Sequence, residues 1–80
     1  MSPDRLVHMA NQIAQNLESM GADGAVQATA NHIARFWDPR MKQAIFADVK
    51  GSGRSALSPI AAAAIDHLAA AQEASHSDAG

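Results

Sequence analysis

Cysteine is absent from the 80-residue chain. Disulfides and thiolate-held zinc or iron–sulfur clusters are excluded with it. Aromatics are scarce: Phe36, Trp37 and Phe46 are the only three. The core must then rest on Ile, Leu, Met, Val and much Ala, which favours helix but buries little area per residue. A clustered basic face is missing as well. The six cations Arg5, Arg35, Arg40, Lys42, Lys50 and Arg54 are spread along a chain of net charge −2 and pI about 6.0. That balance argues against an electrostatic nucleic-acid binder. The longest apolar run, Ile60 to Ile65, is far short of the ~20 residues of a membrane span. The start, Ser2-Pro3-Asp4-Arg5, leads into an amphipathic pattern and not a signal-peptide layout, so cytoplasm is the expected compartment.

What is present reads as helix. A chain this short forms one domain and buries only about 60% of the surface its unfolded form exposes, so a thin core invites support from a partner. Ser2-Pro3 is an N-cap and first-position pair, followed by a stripe of Leu6, Ala10, Ile13, Leu17 and Met20, widened by Val7, Met9 and Ala14. Gly21 stands where a C′ glycine ends a helix. Asp23 is the expected cap of a second helix, with the stripe Val26, Ala30, Ile33 and Trp37. Asp38-Pro39 opens a third, with Met41, Ala44, Ile45 and Val49. Lys50 to Ser55 reads as an exposed flexible loop. Ser58-Pro59 opens a last helix to about Gln72, with Ala61, Ile65, Leu68 and Ala71 or Gln72 on one side. Residues 73–80 are expected to form a flexible tail. Nothing alternates with period two. The fold class expected is all-α: one domain over 1–72, a bundle of three to four short helices, the first two as an antiparallel hairpin.

Met9-Ala10-Asn11-Gln12-Ile13-Ala14 aligns with Thr29-Ala30-Asn31-His32-Ile33-Ala34 at an offset of 20. The echo predicts coincident stripes, with Ala10 and Ala30 allowing close approach. Shared patterning of two helices facing one core gives the same picture.

Catalytic and metal-binding patterns are not found. His8, His32, His67 and His76 show neither an i, i+4 pair nor HExxH, so they read as surface or boundary residues. No Ser lies in a nucleophile elbow. Asp23, Asp38 and Asp66 read as caps or helix-surface charges, and Asp48 as a helix-edge residue. Gly51-Ser52-Gly53-Arg54 lacks the preceding strand and following Lys-Ser/Thr of a phosphate loop, and reads as a linker. The informative stretch is Arg35 to Met41. Trp37 lies on the apolar stripe and reads as core or as interface. Phe36 lies at the stripe's edge. Phe46 falls off the Met41/Ile45 face. These two either meet a partner or are buried by another helix. Arg35 and Arg40 flank the turn, and an edge aromatic with arginines is a combination that interfaces enrich. Asn11 and Asn31, at the stripe borders, bond either a partner's backbone or water and loop carbonyls. The candidate partner-binding set is Asn11, Asn31, Arg35, Phe36, Trp37, Arg40 and Phe46; there is no catalytic, cofactor or metal set.

The runs Arg5-Leu6-Val7-His8-Met9-Ala10-Asn11-Gln12-Ile13-Ala14 and His32-Ile33-Ala34-Arg35-Phe36-Trp37-Asp38-Pro39-Arg40-Met41 resemble the delta subunit of the NAD-dependent, molybdenum-containing formate dehydrogenases. The resemblance spans about Arg5 to Leu68 and rests on two separate motifs in order. Family members often carry aromatics late in the first helix, where this chain has Asn16-Leu17. The resemblance implies a bacterial, cytoplasmic complex that oxidises formate and reduces NAD. It implies that the molybdenum bis-pterin dinucleotide, iron–sulfur clusters, FMN and NAD belong to larger subunits. The delta chain is then a non-catalytic accessory subunit for assembly or stability, docked most naturally on the catalytic alpha subunit. Alternatives are a transient cofactor-maturation factor for the same enzyme, or a small helical regulatory or DNA-binding protein. The scattered basic residues count against the last.

Overall fold

The computed structural model describes residues 2–79, with side chains for all of these except 52 and 73–79. Four α-helices run in order: α1 Pro3–Leu17, α2 Ala22–Phe36, α3 Pro39–Val49 and α4 Pro59–Ala79. Two 3₁₀ turns, Glu18–Met20 and Ser52–Ala56, join them, and no strand occurs among the described residues. The all-α expectation holds.

The caps read from sequence form three of the four helix starts. Ser2 is extended ahead of Pro3. Asp38 accepts from Met41 N–H at 2.9 Å, and Ser58 Oγ accepts from Ala61 N–H at 3.3 Å. The second helix differs. It begins at Ala22, with Gly21 and not Asp23 in the cap position. Gly21 has φ +86° and ψ 161°, a region that is essentially glycine-only. Gly21 therefore joins the 3₁₀ turn to α2 and is not a left-handed helix stop. The Lys50–Ser55 stretch is also more ordered than its composition suggests, because Ser52–Ala56 winds into a 3₁₀ turn. A Cβ on Gly53 would collide with the Asp48 carboxylate and lie 2.9 Å from the Asp48 carbonyl oxygen. Helix α4 extends past Gln72. The flexible tail expected over 73–80 falls on side chains, and at Gly80 on backbone, outside the described residues.

The core is small and largely aliphatic. Leu6, Ile33, Ile45 and Ile65 are its largest fully buried apolar side chains, each contributing about 1.5–3 kcal/mol on burial. Helix α2 packs most extensively on α4, and next on α1. The buried Ala25, Ala30, Ala61 and Ala64 lie on these two helices, where side chains of one carbon allow close approach of the axes. Trp37, at the end of α2, is buried with this core.

The offset-20 echo is only half right. Helix α1 buries Leu6, Val7, Ala10 and Ala14, whereas α2 buries Ala25, Thr29, Ala30 and Ile33. Only Ala10 and Ala30 coincide. Ala34, the counterpart of buried Ala14, is exposed. The buried face of α2 is rotated by about one residue position, roughly 100°, because it must serve α4 as well as α1. Rotation brings Thr29 inside, fully buried with no hydrogen-bond partner for Oγ1. On α1 the stripe fails at its end: the helix stops at Leu17, and Met20 is 58% exposed.

Candidate functional site

The corner between α2 and α3 is closed by backbone and side-chain bonds that leave little slack. Trp37 N–H donates to Ile33 O at 3.0 Å, and Lys42 N–H to Asp38 O at 3.1 Å. Asp38 caps α3 as described. Lys42 Nζ reaches back to Ala34 O at 2.8 Å, so a cation serves a carbonyl in the last turn of α2, where the helix dipole favours it. With Trp37 anchored in the core, Phe36 is directed outward and is 72% exposed, the largest exposed apolar side chain described. Its ring lies 4.7 Å from that of His32, tilted by 40°. One helical turn separates the two residues, and the contact restricts the freedom of an otherwise loose side chain.

Helix α1 completes a depression in front of this corner. Met9 and Ile13, on the outer edge of its apolar stripe, are partly buried against the core. Together with His32, Phe36, Trp37 and Met41 they line a groove of about 340 Å³, with Gln12 and Asn16 as its further polar lining. The two sequence motifs, distant in the chain, thus meet in one place. The first supplies Met9 and Ile13; the second supplies His32, Phe36, Trp37 and Met41.

The other sequence candidates are dispersed. Asn11 is engaged within the chain: Nδ2 donates to Ala56 O at 2.9 Å, and Oδ1 accepts from Ser58 N–H at 2.8 Å. Its amide joins α1 to the start of α4, which matches the loop-carbonyl alternative. Asn31 is exposed on α2. Arg35 and Arg40 are exposed and form no ion pair among the described residues. Arg40 borders a second shallow depression that shares Met41 with the groove. Phe46 stands apart. It packs partly buried against the core and lines depressions with Leu68 and Ala69 of α4, so the stretch from Phe36 to Phe46 does not form one surface. Met9, Ile13, His32 and Met41 were absent from the sequence-derived set. Their signal was present, since Met9 and Ile13 edge the α1 stripe, but only the packing of α1 beside the corner makes that edge a wall.

The α3–α4 side is internally paired. Arg54 Nη1 and Nη2 donate to Asp66 Oδ1 and Oδ2 at 2.7 and 2.6 Å. Hydrogen bonding from Arg54 holds the Asp66 carboxyl below its ordinary range, a shift opposed by desolvation and aided by the opposite charge. Among the described residues no three His, Asp or Glu side chains converge in a way that could hold a metal ion. Nor is any described helix long and apolar enough to cross a membrane.

Comparison with known proteins agrees with the two motifs. The model of the family described as NADH-dependant formate dehydrogenase delta subunit FdsD matches residues 5–65. No curated protein and no solved structure matches the chain. The matched span covers most of the chain, including every residue lining the groove. The chain therefore belongs to the family of formate dehydrogenase delta subunits.

Proposed function

We propose that this chain is a non-catalytic accessory subunit that docks on the larger subunits of a cytoplasmic, NAD-dependent formate dehydrogenase. Membership of the delta family implies partnership with other subunits of that complex. The observation that carries the docking reading is Phe36, an aromatic exposed beside an apolar groove on a rigid corner. Isolated exposed apolar residues are ordinary on proteins, but an aromatic rimming a preformed groove has the form of an interface anchor. The fold itself accounts for much of the motif. Ala10 packs, Asn11 joins two elements, Trp37 fills the core, Asp38 caps α3 and Pro39 starts it. It gives no such task to Phe36, Arg35 or Arg40.

The catalytic alpha subunit is the proposed partner. The molybdenum, iron–sulfur, FMN and NAD groups are proposed to reside in the larger subunits, in keeping with a chain that has no cysteine to ligate a cluster. Co-expression with the larger subunits, purification through the alpha subunit and native mass measurement test the reading. Stoichiometric recovery of this chain is expected; failure to co-purify at all would sink the proposal.

A further inference from the structure

We infer that the partner segment filling the groove is an apolar stretch flanked by carboxylates, and that Arg35 and Arg40 receive those carboxylates. The inference rests on the docking reading above and adds the chemistry of the occupant.

Charge carries the step. The chain is acidic overall, with eight Asp and Glu against six Lys and Arg. The groove nevertheless has no carboxylate in its lining. Between Gly24 and Ala47 the sole acidic residue is Asp38, against Arg35, Arg40 and Lys42. Asp38 is held by the cap of α3, and Lys42 is held by the Ala34 carbonyl. Arg35, adjacent to Phe36, and Arg40, adjacent to Met41, remain exposed and without an ion pair among the described residues. Arg54 shows the contrast, since its guanidinium has a carboxylate on both nitrogens. A guanidinium presents a planar fork of donors that matches a carboxylate. Two such forks, each next in sequence to a residue that lines the groove, complement an apolar segment with acidic flanks. A second copy of this chain is the poorer occupant: a two-fold contact through this patch brings the same unpaired cations toward each other.

The test uses the co-purified complex. In the double variant Arg35→Lys/Arg40→Lys the charges are kept and become reactive to carbodiimide, which joins amines to adjacent carboxylates. Mass spectrometry is expected to find position 35 or 40 joined to Asp or Glu of a larger subunit, within or beside an apolar stretch. Arg35→Glu/Arg40→Glu is expected to weaken association about tenfold or more at low ionic strength. Rising salt should narrow that difference. Links only within this chain or to a second copy of it overturn the inference. So does wild-type affinity in the charge-reversed variant, and in that case continued co-purification leaves the docking reading standing at another face. Loss of co-purification by the unaltered chain, in contrast, removes the docking reading itself.

Discussion

Phe36 and Phe46 lie ten residues apart in sequence, and their two sides of the molecule are built differently. Around Phe46 the charged pair that lines one depression is satisfied inside the chain. Arg54 pairs with Asp66, the Asp48 carboxylate closes over Gly53, and the aromatic ring itself packs partly against the core. Around Phe36 the backbone is as firmly held, through Asp38, Lys42 and buried Trp37. Its side chains face outward: Phe36, steadied on one side by the His32 ring, and Arg35 and Arg40 are exposed. A firmly held backbone carrying an exposed aromatic and exposed guanidinium groups meets part of the ordering cost of association in advance. The inward residues of the α2–α3 corner serve folding; its outward residues are the ones proposed above for association.

Trp37→Ala should have the largest effect, because it removes the corner's anchor from the core. A loss of about 3–5 kcal/mol is expected for a buried tryptophan, against a total of roughly 4–12 kcal/mol for a domain this small. Urea denaturation followed by circular dichroism checks it; a loss below about 1 kcal/mol would show that the corner is not tied to the core. Gly53→Ala acts on the other side only. With the Asp48 carboxylate and carbonyl in the way of a Cβ, about 1–3 kcal/mol should be lost while association with the larger subunits survives. If association falls instead, the two sides are not separable.

Thr29→Val bears on the shared core between α2 and α4. The buried hydroxyl lacks a partner, so replacing it by a methyl group should raise stability by about 1 kcal/mol, seen as a higher urea midpoint. A fall in midpoint would reveal a hydrogen bond that the hydroxyl does make.

Asp66→Asn should have the smallest effect, since both partners of the Arg54 pair are about half exposed. Its sign follows from the lowered carboxyl pKa. The ionised form is favoured in the folded state, so the stabilisation is present at neutral pH and is lost as pH falls through the depressed value. Parent and variant midpoints should differ slightly at neutral pH and converge below the ordinary carboxylate range of about pH 4. A gap that widens in acid contradicts the assignment.

Local signals were legible where one residue type suffices. Asp38-Pro39 and Ser58-Pro59 start helices because a short polar side chain followed by a fixed φ suits the first turn, and both do so here. Periodicity placed Leu6, Ala10, Ile33, Ile45 and Ile65 in the core, where they lie. Three features were hidden, two because their causes are remote in sequence and one because its composition is that of a loop. The rotation of α2 that buries Thr29 answers to α4, about thirty residues away. The 3₁₀ turn at Ser52–Ala56 has a loop's composition, and its tight fit depends on Asp48. Asn11 bonds positions 45 and 47 residues downstream, and no periodic pattern marks such a contact. The groove proposed for docking was half legible: Phe36 stood out as an edge aromatic, but its opposing wall on α1 emerged only from packing.

The division between the two sides is tested most directly by Phe36→Ala and Phe46→Ala, each co-expressed with the larger subunits and also purified alone. Phe36→Ala is expected to keep the parent's helicity and urea midpoint to within about 0.5 kcal/mol while falling out of the purified complex. Phe46→Ala is expected to lower the midpoint and yet remain in the complex. Retention of Phe36→Ala together with loss of Phe46→Ala would contradict the account and move the interface to the α3–α4 side.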